Sequence, residues 1–404
     1  MSTANNLSPH LYDKPKYFFS LDIARGVAAL TVVLWHWQIF YSYTVAMPDK
    51  FVVTDQPLYS VFFLFYNNGV LAVDFFFLLS GFIFFYLYAD KISQRLISGK
   101  TFFTLRFSRL YPLHFLTLLL VLFLQHLLLN RTGVYLAYVN NDLYHFILNI
   151  FFVQSWGFEV AESFNSPSWS VSVEVLLYIL FFILLWYRLN KKYVMWILVF
   201  AGLIFGFVYA PIGRGIASFF LGGLLYYWYN SLVKKPNLAR CLNLFLSAAV
   251  LLVIVMVLES KYSFIESGTL KLLHGRHIVN KDKTAVGAVV KIDNELVRCI
   301  IFPIFLMCLA LYETLKGAIG KRFAFVGHIS YSSYLLHFPL MLVITNIMIR
   351  LGGDYRVAVF NSPLALVGFF ALLIPISLLS YYFFELPIQN RLREYFLGFT
   401  KVKK

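Results

Sequence analysis

The sequence predicts an all-α integral membrane protein, a bundle of about ten transmembrane helices with one short re-entrant or interfacial segment. Two observations carry that expectation. Of the 404 residues 60% are apolar and only 13% are charged, against roughly 25% charged in a soluble domain. Apolar runs of about 17 residues or more also recur along most of the chain, enough to span a hydrocarbon core of roughly 30 Å.

The first run, from Leu21 to Tyr43, follows a polar stretch with Lys14 and Lys16. No small-residue cleavage site closes it, so it reads as a retained helix. The second helix returns by Leu87. The loop Asp90–Arg109 carries Lys91, Arg95, Lys100, Arg106 and Arg109, which places it on the cytoplasmic side. A third helix is expected from Pro112, whose ring suits a first helical turn. His145–Trp156 is too short to cross and forms the re-entrant or interfacial piece. The next helix, from Val171, runs inward to Arg188, Lys191 and Lys192. Later helices are expected near 193–210, 214–230, 241–259, 297–313, 326–349 and 363–384. This topology puts both termini in the cytoplasm. It divides the chain into an N-terminal segment (1–20), a transmembrane domain (21–388) and a basic tail (389–404).

The net charge of +15 does not indicate nucleic acid. The cations sit in short loops between spans, a topogenic pattern rather than a phosphate-tracking patch. The polar loop Ser260–Glu295 holds His274, Arg276 and His277 without a third ligand at metal spacing, so it reads as a solvated loop and no metal is expected. Cys241, Cys299 and Cys308 lie in or beside apolar spans and read as packing residues.

Ionisable side chains inside spans cost roughly 2.5–3.5 kcal/mol each on insertion scales and are retained when paired or used. Arg25 and His36 share the first helix. Eleven residues at 100° return to within about 20° of one face and rise roughly 16 Å. A cation near the inner mouth and a deep imidazole therefore lie on one stripe; the alternative is that Arg25 merely pairs with Asp22. Asp74, in Val73-Asp74-Phe75, falls at a depth comparable to His36, where it either orients the imidazole or makes an ordinary interhelical pair. Arg106 and Arg109, one turn apart beside an expected helix N-terminus, suit an anion or serve topology alone. Glu174 begins a helix at the outer face, where an acid favours the dipole. His337 falls mid-membrane, and Glu385 lies at a boundary. No nucleotide-binding glycine loop and no G-x-S-x-G elbow appears in these spans, so nucleophilic-serine chemistry has no sequence support.

These motifs in this order resemble the acyltransferase 3 family over nearly the whole chain. The carriers are Leu21-Asp22-Ile23-Ala24-Arg25-Gly26 with His36, Val73-Asp74-Phe75 with Ser80-Gly81-Phe82, and Arg106-Phe107-Ser108-Arg109. Trp169-Ser170 through Glu174 with Tyr178, Ser330-Tyr331 to His337, and Glu385-Leu386-Pro387 complete the set. The chain departs from the family pattern at Ile23, where glycine is usual, and at Val175, where a second acid often stands.

The resemblance implies an acyl-CoA donor, usually acetyl, on the cytoplasmic side of an inner membrane. It implies O-acylation of an extracytoplasmic glycan such as a lipopolysaccharide or exopolysaccharide sugar, with membrane lipid as the surrounding partner. Arg25 and His36 match its essential pair, and Arg106 and Arg109 its Arg-x-x-Arg motif. The expected mechanism binds coenzyme A phosphates at Arg106, Arg109 and Arg25. His36 then acts as general base or transient acyl carrier, with Asp74 or Glu174 holding its tautomer. The rival class is a transporter or flippase with an intramembrane ion relay.

Overall fold

A computed structural model describes residues 12–41, 52–262, 294–351 and 359–398. Every regular element among them is helical. Among the described residues, eight helical segments are long and apolar enough to cross a membrane. They include the runs containing α1 (Phe19–His36), α2 with α3 (Tyr59–Asn68 and Ala72–Ser93), α4 (Gly99–Thr132), α6 (Trp169–Trp186) and α9 (Leu238–Tyr262). The others contain α10 (Phe302–Lys316), α12 (Ser330–Arg350) and α13 (Pro363–Leu379). Near 193–210 and 214–230 stand the shorter apolar α7 (Lys192–Phe205) and the 23-residue α8 (Ala210–Leu232). The loop bearing His274, Arg276 and His277 lies outside the described residues.

Local chemistry explains several boundaries. Ser98 caps α4, its Oγ accepting from the Thr101 N–H at 3.2 Å, and Gly133 ends it with φ +75°. That start corrects the expectation of a helix beginning at Pro112. Pro112 lies inside α4, where its missing N–H forfeits a single bond to the Ser108 carbonyl. Arg106 and Arg109 are consequently mid-helix side chains, and a helix N-terminus contributes nothing to them. The short piece does form as a non-spanning element: α5 (Leu143–Ile150) has eight residues, capped by Asp142. The chain then folds back onto α6, where Ser172 Oγ donates to the Phe152 carbonyl at 2.7 Å and the Trp156 indole donates to the Ser172 carbonyl at 3.0 Å.

The start of α1 has no side-chain cap of its own. Its free N–H groups at Phe19 and Ser20 donate instead to the Glu313 carboxylate of α10, each at 2.9 Å. An acid from a distant helix thus satisfies orphan donors and complements the positive helix end.

Close packing of α3 on α8 sets the middle of the bundle. A Cβ on Gly81 would stand 1.9 Å from the Phe219 carbonyl oxygen, and one on Gly222 would stand 2.1 Å from that of Leu78. The two backbones touch because both helices present glycine there, the small-residue mode of membrane helix packing. On the other flank α1 meets α11 (Ala324–His328) and then α12, which is mostly buried and central.

Replacing Gly81 by Val is expected to force α3 from α8 and cost more than the usual 1–3 kcal/mol of overpacking. Size-exclusion profiles of detergent-solubilised protein should show loss of the monodisperse peak; an unchanged peak and melting temperature would contradict this packing.

Candidate active site

Both marked residues of α1 face α12. The Arg25 guanidinium donates to Ser330 Oγ at 3.1 Å and to the Gly327 carbonyl at 2.8 Å, and pairs with Asp22 at 2.9 Å. Close approach delivers that carbonyl: a Cβ on Gly327 would lie 2.3 Å from the Asp22 carbonyl oxygen. Eleven residues further, His36 Nδ1 lies 3.0 Å from His337 Nε2, with the rings stacked at 4.9 Å and 19°. Both imidazoles are buried, His337 completely. The contacts advance together along the two helices, from Arg25 and Ser330 to His36 and His337, so α1 and α12 run parallel. The stripe read from helical periodicity is therefore one face turned into the protein. The Asp22 pair exists as well, within the same cluster.

α12 gathers the other polar elements. Tyr331 donates to the Leu110 carbonyl of α4 at 2.6 Å, and Tyr334 to the Pro167 carbonyl ahead of α6 at 2.8 Å. Ser332 donates to Glu385 at 2.6 Å, and Glu385 also accepts from Ser380 at 2.8 Å.

The carboxylates expected to hold the His36 imidazole do otherwise. Asp74 is fully buried and belongs to two arginines. Arg214 of α8 grips it through Nη2 at 2.7 Å and Nε at 3.1 Å, and Arg298, in the π-helical turn Val297–Ile301 before α10, pairs with it at 2.9 Å. A carboxylate with two guanidinium partners has no call on an imidazole. Glu174 lies beyond the first turn of α6, so the dipole account falls too. It accepts from Ser80 Oγ at 2.9 Å and from the Tyr178 hydroxyl. It stands close enough to Arg25 and Arg109 to act on their charges, and so belongs to the arginine end. The partner of His36 is His337.

Arg106 donates to the Tyr88 hydroxyl and lies over the Phe84 ring at 4.8 Å. Arg109 makes no hydrogen bond or ion pair among the described residues, although Glu174, Tyr178, Asp22 and Tyr381 lie within electrostatic reach. A guanidinium without a hydrogen-bonded partner among the described residues, at the Arg25 end of a polar seam, is suited to an arriving anion.

Three charges inside the bundle escaped sequence reading: Arg214, Arg298 and Glu313. The signal was present, since each lies in an apolar run, and the cost argument that marked Asp74 applies equally to its partners. Among the described residues, no cluster of three or more His, Cys, Asp or Glu is arranged to hold a metal ion.

The model of the Acyltransferase domain family matches residues 18–382. The chain belongs to this family. It is 34% identical over 179 residues to "Acyltransferase MdmB" of Streptomyces mycarofaciens, covering 43% of the chain and 40% of that protein. It is 36% identical over 107 residues to "Protein 2 in picA locus" of Rhizobium radiobacter, covering 26% of the chain and 45% of that protein. The chain thus spans less than half the length of each of these relatives. No solved structure matches it. The family match contains Arg25, His36, Asp74, Arg106, Arg109, Glu174 and His337 in one domain.

Asp74→Asn should strand Arg214 and Arg298 in the bundle and cost about 3–5 kcal/mol, as for a broken buried pair. Thermal melting of the purified protein measures this. The Asp74→Asn/Arg214→Gln double variant should lose less than the sum of the two single variants; simple additivity would mean that the two groups are not paired.

Proposed function

We propose that this protein is a multi-pass membrane acyltransferase that moves an acyl group from a cytoplasmic acyl-CoA to a hydroxyl of an extracytoplasmic glycan. Acetyl is the expected group, and a lipopolysaccharide or exopolysaccharide sugar the expected acceptor. In this reading the protein lies in the inner membrane with both termini in the cytoplasm. The observation that carries the proposal is the buried His36–His337 pair on the same face of α1 as Arg25.

The spacing suits the substrates. Arg25 and His36 are separated by roughly 16 Å along the helix. A donor whose phosphates sit far from its thioester can occupy that distance, head at the arginines and thioester at the imidazole. Arg106 and Arg109 supply charge-assisted hydrogen bonds to the phosphates. His36 ends α1 on the side opposite the basic loops, where an acceptor arriving from outside meets it.

The imidazole pair supplies the base. His337 Nδ1 is buried without a hydrogen-bond partner among the described residues, and in this reading it faces backbone carbonyls of the preceding turn of α12. Carbonyl oxygens only accept, so they favour the tautomer with its proton on Nδ1. His337 Nε2 is then a lone pair accepting from His36 Nδ1–H, and His36 Nε2 is left unprotonated. That atom takes the acceptor hydroxyl proton as the oxygen attacks the thioester carbonyl. The carbon–sulfur bond breaks, the proton passes to the departing thiolate, and ester and free thiol result with His36 neutral again. His337 acts through His36, as a positioning residue.

His36→Ala should lower transfer of labelled acyl groups to a glycan acceptor by at least a hundred-fold, the scale of general-base catalysis, in protein that remains folded in the membrane. His337→Phe keeps the bulk but removes the acceptor atom. It should lower kcat about a hundred-fold with donor KM unchanged, and His337→Gln should recover part of the loss. Undiminished transfer in His36→Ala would defeat the proposal. Movement of glycan across vesicles without covalent product would favour a transporter.

A further inference from the structure

The C-terminal end of the described chain contacts the arginine motif. The helix of α13 passes through a π-helical turn, Ser380–Glu385, into α14 (Leu386–Leu397), which packs along α4. Arg393 of α14 donates from Nε to Ser108 Oγ at 3.2 Å and from Nη2 to the Leu105 carbonyl at 3.4 Å. Ser108 stands between Arg106 and Arg109 in sequence, and Leu105 precedes them. The Arg393 guanidinium is therefore brought to the same stretch of α4, close enough to Arg106 and Arg109 for the charges to repel.

The protein leaves this cluster without a directly paired carboxylate among the described residues. Arg393 meets a hydroxyl, a carbonyl and the neighbouring Gln389 amide. Arg106 meets a tyrosine hydroxyl and two aromatic faces, while its buried Nε has no hydrogen-bond partner. Arg109 has none. No carboxylate among the described residues forms a salt bridge with any of the three, whereas Arg25, Arg214 and Arg298 each have one. Like charges gathered in partial burial repel more strongly than in water, and helix α14 holds one of them there by specific contacts. A counter-charge in direct contact would be an anion large enough to meet several guanidiniums, and phosphate matches their planar donor fork.

We propose that Arg393 is a further phosphate-binding residue, and that α14 folds back on α4 to complete, with Arg106 and Arg109, a guanidinium clamp for the phosphate-rich head of the acyl donor. The inference rests on the donor assigned above, and extends it to a helix outside the matched family domain, which ends at residue 382.

The test is equilibrium binding of coenzyme A itself to the full chain in nanodiscs, without acceptor. Arg393→Gln should weaken binding about ten-fold, one charge-assisted contact's worth, and flatten its dependence on salt, with the melting temperature unchanged. Arg393→Lys keeps the charge without the fork and should fall between; it also serves if the glutamine variant misfolds. Equal affinity and salt dependence in wild type and both variants would overturn the clamp alone. No coenzyme A binding by wild type would overturn the donor assignment along with it. Repeating the measurement in zwitterionic and anionic nanodiscs separates free phosphate from lipid headgroups. An Arg393 effect that appears only as loss of anionic lipid association would assign the residue to the bilayer and overturn the clamp.

Discussion

An ion inside a membrane-spanning bundle must find its counter-charge or its hydrogen bonds within the protein, because hydrocarbon offers neither. That constraint ties the distant parts of this chain together. Asp74 joins α3 to α8 and to the turn before α10 through Arg214 and Arg298. Glu313 holds the start of α1 against α10. Arg25 and His36 join α1 to α11 and α12. Each link fixes a rotation as well as a distance, since a helix turned by a few tens of degrees would carry the charge into lipid.

α12 is where these links converge. Its serines, tyrosines and His337 reach α1, α4, the segment before α6 and the turn leading to α14. Such a helix gains little from hydrophobic burial, because lipid is as apolar as its neighbours. Its position rests instead on close packing and on satisfied polar groups. In the proposed mechanism the same arrangement serves chemistry. A buried imidazole whose one nitrogen is engaged by a second imidazole keeps its other nitrogen in a defined state, and water is kept away from both.

The separation of charge types follows from this economy of partners. Structural cations are paired with a carboxylate, as Arg214 and Arg298 are with Asp74. The arginines of α4 are not, and Arg393 is brought to them by a helix that could have projected into solvent. In the proposed reading, cations without a carboxylate partner mark the place that receives a ligand, and paired ones the place that holds the fold.

Much of this protein was legible without coordinates. Apolar length alone implies an all-α membrane bundle, since only helices and closed barrels satisfy a backbone in hydrocarbon. Helical periodicity alone puts Arg25 and His36 on one face, because their angular offset depends only on residues per turn. The short stretch after His145 could not cross for want of length. Partner identity was beyond reach. Asp74 and His36 share a depth, but depth does not say which helices are neighbours, and Arg214 and Arg298 are brought to Asp74 from far along the chain. Pro112 read as a helix start because local rules cannot tell a first turn from an interior one whose lost bond is tolerated. The pairing of His36 with His337, the cap from Glu313 and the approach of Arg393 to α4 all join residues hundreds of positions apart. Sequence sets the periodicity and polarity of each helix; which faces meet is decided by the mutual packing of all of them.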